Sequence, residues 1–524
     1  MQRFLDFLHK SPVLLFAVCL AIAALYVCVI SSIVPIRFED NDDVTYAWIA
    51  SGVYTGTPDI HLVFLNALYG CLVAGLYNLF PRVEWYSVLF LFWLALSAAV
   101  CLYYVLKDET AKTYKLLGIS IIILFLTYFV IRLQFTTVAA SLAFAGLLLL
   151  CKRNFIFGGV LLLLGSLIRF EAAGMVGVIM MPVIAMEYKF DWKKAWASLG
   201  IVLILVFFTH RADILFYNST EWQRFITCCN LTSRGKINDN PNIWRLAQNL
   251  PENISPVDFN LITAFAPDPE TATPELLAAI DKELRHIPLI KKIKNIYTIF
   301  IPRYKWWLAL LLLAFLPLLI FTTTKSRIYS FIVIALWFIL LCVLQMNASV
   351  KLRVFLSSLL PIIYVWYKQI NGIKINSLKY ASSSVFVAGL CFFMLQPLVR
   401  HLKQIPNQDR VWIEQKNLLN MSEGYKVITD GADLHVEYID VFDLRNAITP
   451  NTFINPYCFS GCPLTPEYMS YRDFLKDKLL IFTSKPVNMD MRLRSIKEHY
   501  CIDAEAVVVA QSDNFALVKI IKEE

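Results

Sequence analysis

Long apolar segments recur along most of this chain, and they restrict the folds open to it more than any other feature. A run of about 17–25 apolar residues is what an α-helix needs to cross roughly 30 Å of hydrocarbon. Of the 524 residues, 58% are hydrophobic and 17% are charged, whereas soluble domains are about half apolar and about a quarter charged. The sequence therefore predicts an all-α polytopic membrane bundle.

We expect about eleven membrane spans. They are residues 12–33, 85–106, 115–131, 135–151, 155–170, 172–187, 196–210, 303–321, 328–346, 354–367 and 380–400. The first is too long for the apolar region of a signal peptide and lacks a small-residue cleavage site, which predicts a retained signal anchor.

A further apolar stretch, residues 61–80, decides the predicted topology. If it does not cross and the N-terminus is cytoplasmic, most Lys and Arg of the short loops lie inside, as the positive-inside rule requires. Its polar residues and glycines are tolerable if it packs on protein. We predict an outer-leaflet surface helix or helical hairpin here, with an ordinary span as the alternative.

The topology divides the chain into two predicted domains. Residues 1–400 form the transmembrane domain, with a first outside loop at 34–84 and a large outside loop at 211–302 in which 274–294 is predicted to be helical. Residues 401–524 are predicted to form a small extracytoplasmic α/β domain. Its predicted strands lie in YKVITD, KLLIFTS, AEAVVVAQ and FALVKII, and its predicted helix is MRLRSIKEHY.

The cysteine pattern and the absence of nucleotide-binding motifs argue against a zinc site and a nucleotide site. Cys458 and Cys462 are spaced for a short disulfide in an oxidising compartment. No matching pair of CxxC motifs indicates a zinc site, and no Walker or GxGxxG loop indicates nucleotide binding. The net charge of +8 is explained by loop orientation, so we do not expect nucleic acid as a partner.

Polar residues that a membrane makes costly collect at the predicted outside ends of the spans. Four carboxylates follow the first span, in EDNDD: Glu39, Asp40, Asp42 and Asp43. Three outside turns carry basic residues on the wrong side for a topology signal: Arg132, Arg169 with Glu171, and Lys351 with Arg353. Such charges are functional hypotheses by default. Snorkelling or simple pairing is the alternative for each, and a solvated or capping loop is the alternative for the acids.

These residue types suit one reaction. A carboxylate at the interface acts as general base toward a hydroxyl group, and Arg or Lys holds and neutralises a phosphate. Nucleotide-sugar donors stay in the cytosol. The sequence therefore predicts sugar transfer from a lipid-phosphate donor.

The layout resembles the polyprenyl-phosphate-sugar-dependent glycosyltransferases of the GT-C fold class, which include lipid A aminoarabinose transferases and protein O-mannosyltransferases. EDNDD matches their acidic motif in position, DVTYAWIASG and HLVFLNALYG match their two surface helices, and VKLRVFLSSLLP (350–361) resembles their late basic segment. The chain departs from the pattern of the aminoarabinose transferases: it has no clean Asp-Glu dyad, and the second surface helix has only His61 and no His-Pro-Pro motif. Substrate identity therefore does not carry over.

The resemblance implies a direct displacement that inverts the anomeric centre. Asp42 or Asp43 would accept the acceptor proton, and Asp40 or Glu39 would orient the acceptor or help to hold a divalent metal. Lys351 and Arg353, with Arg132 or Arg169, would stabilise the departing lipid phosphate. The predicted substrate-binding residues are Glu39, His61, Asn66, Arg132, Arg169, Glu171, Lys351 and Arg353.

Other functions remain as alternatives. A lipid-linked glycan transporter or flippase would carry charges near mid-span, and these spans are mostly apolar at their centres. A surface-glycan polymerase or ligase would use a large outside loop such as 211–302. We expect an integral membrane protein of the bacterial inner membrane whose active site faces outside. Its expected partners are a polyprenyl-phosphate sugar donor, membrane lipids and a glycan or lipid acceptor, and a divalent metal is the one cofactor left open.

Overall fold

A computed structural model describes residues 11–523 with short gaps. The gaps are residues 54–55, 109–111, 189–191, 233–236, 265, 371–372, 374–375, 430–433, 446, 449–451, 455–462, 465–469, 477 and 487. Cys458 and Cys462 lie outside the described residues, so the predicted disulfide stays a prediction.

The first half of the chain is almost entirely helical, apart from two strands of two residues each, β1 Arg37–Phe38 and β2 Arg132–Leu133. Its helices are α1 Pro12–Ile33, α2 Asn41–Ser51, α3 Ala67–Leu79, α4 Trp85–Lys107, α5 Lys112–Ile131, α6 Phe135–Cys151, α7 Phe155–Ile168, α8 Phe170–Glu187 and α9 Trp192–Asn218. Short helices then fill the large loop: α10 Gln223–Thr232, α11 Ile243–Ala247, α12 Pro256–Thr263, α13 Pro274–His286 and α14 Leu289–Asn295.

Four long helices complete the bundle, and one short helix packs on the C-terminal sheet. They are α15 Ile301–Phe321, α16 Thr324–Asn347, α17 Leu352–Gln369, α18 Asn376–Asn420 and α19 Asp490–Tyr500. A π-helical turn, Ile296–Phe300, joins α14 to α15.

The predicted membrane bundle is confirmed, because every predicted span is a helix. Among the described residues, 8 helices are long and apolar enough to cross a membrane, and they belong to α1, α4, α5, α8, α9, α14–α15, α16 and α18. The apolar helices α6 and α7 are shorter than those spans. All residues of α6 are buried, and most of α17 is buried as well. Helix α6 and most of α17 are therefore surrounded by protein rather than by lipid, whereas α7 keeps exposed apolar residues such as Ile156 and Phe157.

Close backbone contact explains how α6 and α7 pack. A Cβ added at Gly158 of α7 would lie 2.8 Å from the Gly146 carbonyl oxygen of α6, and one at Gly146 would lie 2.7 Å from that of Gly158. Small residues at such positions let membrane helices approach closely.

Several element ends differ from those that the sequence predicts. The chain 57–66 is not helical, and α3 begins only at Ala67. Helix α9 continues past residue 210 to Asn218, and α18 continues past residue 400 to Asn420. The expected starts of the large loop and of the C-terminal domain therefore fall inside helices, since these helices extend beyond their apolar parts.

The C-terminal residues form a five-stranded sheet, as the sequence predicts. Its strands are β3 Lys426–Thr429, β4 Thr452–Ile454, β5 Leu479–Ser484, β6 Ala504–Gln511 and β7 Phe515–Lys522, in the order β4-β3-β5-β7-β6. Strand β3 runs parallel to β4 and β5, and β7 runs antiparallel to β5 and β6. The predicted strands and helix α19 are confirmed, and β4 is additional.

The sheet domain packs against the large loop. Leu261 and Ala266 of the loop share an apolar cluster with Ile428 of β3. Asp258 accepts a hydrogen bond from His499 of α19 at 3.0 Å, and Asp268 accepts one from the Tyr500 hydroxyl at 2.8 Å. The loop and the domain therefore form one unit above the bundle.

Candidate active site

A two-residue ladder places the acidic segment at the ends of the bundle helices. Strand β1, Arg37–Phe38, pairs in parallel with β2, Arg132–Leu133. The Glu39 backbone N–H then donates to the Leu133 carbonyl at 2.9 Å. The acids of EDNDD are held beside the turn between α5 and α6 for this reason.

Two acids of the segment bind arginines from distant parts of the chain. Arg353 Nη1, at the start of α17, lies 2.6 Å from Asp40 Oδ2, and Arg132 Nη2 lies 3.7 Å from Glu39 Oε1. Asp40 also caps α2 by accepting from the Asn41 backbone N–H at 3.1 Å. The predicted acidic and basic clusters therefore meet at one end of the bundle.

Asp43 is fully buried and holds two helices together. Its Oδ1 accepts hydrogen bonds from the Tyr86 hydroxyl at 2.9 Å and from the Phe135 backbone N–H at 3.2 Å. Burial raises the pKa of Asp43 well above its ordinary value. These contacts fix Asp43 between α4 and α6, and its assignment as a catalytic base stays a prediction.

Asp42 differs from the other three acids. It is half-buried, and within the described residues its side chain has no hydrogen bond or ion pair. Burial, followed by the negative charge of Asp40, raises the pKa of Asp42 to about 7, although the charges of Arg353 and Lys351 oppose the increase. A carboxylate with a pKa near neutrality matches the requirement for a general base.

Arg169 provides an N–H group that is ready for an anion. Its Nε lies 3.1 Å from Glu171 Oε2, and its guanidinium group stacks over Phe64 and Phe135 at 5.1 and 5.3 Å from the ring centroids. Its Nη1 atom is buried and has no partner in the described part of the chain. Since a buried N–H without a partner is costly, an oxyanion bound here would be stabilised.

Lys351 is held by the large loop. Lys351 Nζ lies 3.4 Å from Asp239 Oδ1, and the Asp239 carbonyl accepts from the Ser349 backbone N–H at 3.0 Å. The Val350 N–H donates to Gln345 Oε1 at 3.0 Å. The segment before α17 is therefore fixed on both sides, and Asp239 is a site residue that the sequence did not reveal.

The extension of α18 borders the same site. Arg132 Nη1 lies 3.2 Å from His401 Nδ1, and buried Arg37 forms an ion pair with Asp409. Neither His401 nor Asp409 was predicted, because the predicted span stops at residue 400.

Two predicted substrate-binding residues have other partners. His61 Nδ1 lies 2.7 Å from Asp59 Oδ1, and its ring stacks on Trp222 with the centroids 4.4 Å apart. The Asn66 side chain caps α3 and also donates to the Thr209 carbonyl at 3.1 Å. The capping role accounts for Asn66, and a helix-start signal in the sequence could have shown it.

An apolar groove begins beside Arg169. It has a volume of about 260 Å³ and lies between α7, α8 and α9. Ser166 and Phe170 line it close to Arg169, and Gly174, Val178 and Leu203 line it farther along the helices. The lining is apolar except for Ser166, which suits an alkyl chain.

The acids of the site form ion pairs and a helix cap. In the part of the chain that the structure describes, no three His, Cys, Asp or Glu side chains are placed to hold a metal ion. Asp40 and Glu39, the acids predicted to help with a metal, bind Arg353 and Arg132.

Two solved structures are similar to this chain in overall layout. Both are of ArnT from Cupriavidus metallidurans, one in the apo state (12% identity, TM-score 0.39) and one bound to undecaprenyl phosphate (13% identity, TM-score 0.36). Each comparison covers 96% of this chain and 97% of the other. No protein-family model matches the chain, and no curated protein matches it. A similarity of this size carries no argument about the fold, the reaction or the substrates of this chain.

Proposed function

We propose that this protein is an integral membrane glycosyltransferase that transfers a sugar from a polyprenyl-phosphate-linked donor to a hydroxyl group of an extracytoplasmic glycan or lipid. The observation that carries the proposal is Asp42, a half-buried carboxylate without a partner among the described residues, whose pKa is raised to about 7 beside Arg353 and Lys351. A base and phosphate-binding cations in one place are what such a transfer needs.

The basic residues are assigned to the donor phosphate. The positive charges of Arg353, Lys351 and Arg169 each lower the pKa of Asp42. Each forms an ion pair with an acid of the protein, so an incoming phosphate exchanges one anion for another. Arg169 also has the unpaired Nη1, and it lies at the start of the apolar groove, which would accept the first isoprene units of the donor.

The proposed reaction is one displacement. The acceptor hydroxyl oxygen forms a bond to the anomeric carbon while its proton passes to an Asp42 oxygen. The bond between the anomeric carbon and the phosphate oxygen breaks, and its electron pair leaves with the lipid phosphate. Because the attack occurs opposite the leaving group, the anomeric configuration inverts. Asp43 holds α2 against α6 so that its neighbour Asp42 points at the acceptor.

The orientation of the site is part of the proposal. The active-site ends of α4, α5, α6 and α17 lie opposite ends that carry Lys107, Lys115, Lys152 and Lys368. The positive-inside rule assigns those basic ends to the cytoplasm, so the active site and the sheet domain would face outside. We propose the bacterial inner membrane as the location.

A transfer assay tests the function. The purified protein in nanodiscs is given a panel of polyprenyl-phosphate sugars with candidate glycan and lipid acceptors, and release of polyprenyl phosphate is measured. We expect donor- and acceptor-dependent release that Asp42→Asn abolishes. Asp513→Asn, the same substitution at an exposed residue of the sheet domain, should leave it unchanged. Equal release by the wild type and Asp42→Asn would refute the assignment of the base, and donor binding without turnover for every acceptor would favour lipid-linked glycan transport.

A further inference from the structure

A cavity lies inside the bundle, toward the end opposite the candidate active site. It has a volume of about 120 Å³ and lies between α4, α5, α6 and α17. Its residues on α4 run from Leu94 to Val105, and Asp108 follows the helix. Leu94, the lining residue of α4 nearest to Tyr86 of the active site, is about 12 Å from it along the helix, at 1.5 Å per residue. The residues that line the cavity differ from those of the active site and of the groove beside Arg169, so the three are separate.

Small residues keep this cavity open. Ser97, Ala98, Gly118 and Ser141 are part of its lining, and most of the remaining lining is aliphatic or aromatic. A Cβ added at Gly118 would lie 3.0 Å from a Val105 methyl carbon. An apolar protein cavity of about 150 Å³ stays dry and binds benzene, so a cavity of this size suits a few methylene groups.

Polar groups occur where the cavity reaches the ends of its helices. Lys368 Nζ lies 3.3 Å from Asp108 Oδ2, and both side chains are 29% exposed. Lys152 also lines the cavity, and its Nζ lies 3.8 Å from Glu187 Oε1, so a bound anion would replace Asp108 and Glu187 as the partner of these lysines. The Tyr364 hydroxyl is buried and has no hydrogen-bond partner within the described residues. A matching ligand has an apolar chain, a hydrogen-bonding group near Tyr364 and a negative head group near the lysines.

We infer that the cavity binds a few methylene groups of one acyl chain of an anionic phospholipid from the leaflet at this end of the bundle. This part of the chain occupies the space between α4, α5, α6 and α17, and the phosphate lies near Lys152 and Lys368. Further basic residues at this end, Lys107 and Arg153, increase the attraction for anionic lipids. This site does not depend on the proposed glycosyl transfer.

Photolabelling in nanodiscs tests the inference. The full-length protein is reconstituted with phosphatidylglycerol that carries a diazirine near the end of one acyl chain, or with phosphatidylcholine that carries the same chain. Labelled peptides are then mapped by mass spectrometry. We expect the phosphatidylglycerol probe to label residues 94–101, 121–129 and 141–148 more strongly than the phosphatidylcholine probe does.

Two serines provide a matched pair of variants. The hydroxyl groups of Ser141 and Ser120 both donate to the carbonyl four residues earlier, at 2.7 and 2.9 Å. Ser141 lines the cavity, whereas Ser120 is exposed on the outer side of α5. Ser141→Phe should lower labelling of the cavity peptides by about tenfold, the effect of about two fewer buried methylene groups. Ser120→Phe should leave the labelling of the cavity peptides unchanged. If Ser141→Phe fails to fold, Ser97→Leu takes its place.

The head group is tested by charge. The double variant Lys152→Gln and Lys368→Gln should reduce phosphatidylglycerol labelling to the phosphatidylcholine level, and Lys325→Gln, an exposed lysine at the same end of the bundle, should not. Equal labelling of the cavity peptides in Ser141→Phe and Ser120→Phe would overturn the site. Equal labelling by the two probes in the wild type would overturn the preference for an anionic lipid.

Discussion

The raised pKa of Asp42 predicts a specific pH dependence for the proposed transfer. The base must be deprotonated to accept the acceptor proton, so activity should rise with pH through about 7, the pKa of Asp42. Between pH 5 and pH 8 the deprotonated fraction, and with it kcat/KM, would increase about ninetyfold. An aspartate at its ordinary value of 3.8 would change by less than about 10% over the same range.

The assay measures kcat/KM for the donor from pH 5 to pH 8 with an acceptor that has no ionisable group. The donor is a phosphodiester whose single charge stays constant over this range. A sloping limb in the plot of kcat/KM against pH therefore reports the titration of a group on the protein. Its slope should be about one decade per pH unit below pH 7, since a single proton is involved.

Two neighbouring charges should shift this limb in opposite directions. The negative charge of Asp40 raises the pKa of Asp42 and the positive charge of Arg353 lowers it. Asp40→Asn should therefore move the limb to lower pH and Arg353→Gln should move it to higher pH. A profile that stays flat between pH 5 and pH 8, or a limb that moves in the same direction in both variants, would refute the assignment of Asp42 as the base.

Four further predictions concern stability and binding. The pKa of Asp42 rises from 3.8 to about 7 on folding, which corresponds to about 4 kcal/mol of destabilisation that is absent near pH 4 and complete above pH 7. Calorimetry of the inactive Asp42→Asn variant should therefore show a protein that is more stable than the wild type at pH 8 but not at pH 4. A loss of stability at pH 8 would contradict this. Asp43→Ala should lower the free energy of unfolding by about 2–3 kcal/mol through loss of the α6 cap and the Tyr86 bond, whereas Asp43→Asn, which keeps an acceptor oxygen, should cost less in a thermal melt. Asp239→Ala frees Lys351 from its ion pair and should lower the KM for the donor about threefold, because a partly exposed ion pair contributes less than about 1 kcal/mol. An increased KM would mean that Asp239 positions Lys351 instead. Gly158→Val should lower the melting temperature because its Cβ meets the Gly146 backbone at 2.8 Å, while Gly75→Val, with nothing within 4 Å, serves as the control.

The membrane part of the fold could be predicted from the sequence because span length is a local property. A run of apolar residues long enough for the bilayer identifies a helix wherever it packs. The ends were harder to predict, because α9 and α18 continue to Asn218 and Asn420 in polar sequence. There the helix is stabilised by contacts that only the tertiary structure supplies, such as the ion pair between Asp409 and Arg37.

The candidate site was predictable in residue type but not in the role of each residue. The cost of charges near a membrane identified EDNDD and the basic turns. The pairing of Asp40 with Arg353 joins parts of the chain that are far apart in sequence, so it depends on how the helices pack. Asp239 lies in a loop without apolar periodicity, and nothing in its local sequence distinguishes it from a solvated acid.

The roles of the four acids explain why so many carboxylates occur in one short segment. Glu39 and Asp40 bind Arg132 and Arg353 and so hold the segment against α5 and α17. Asp43 fastens it to α4 and α6. These contacts bury Asp42 beside a negative neighbour, which raises its pKa, and bring it near cations that keep the increase moderate. A single aspartate on an exposed loop would keep its ordinary pKa and be a weaker base. The density of charge is therefore what the proposed chemistry requires of this segment.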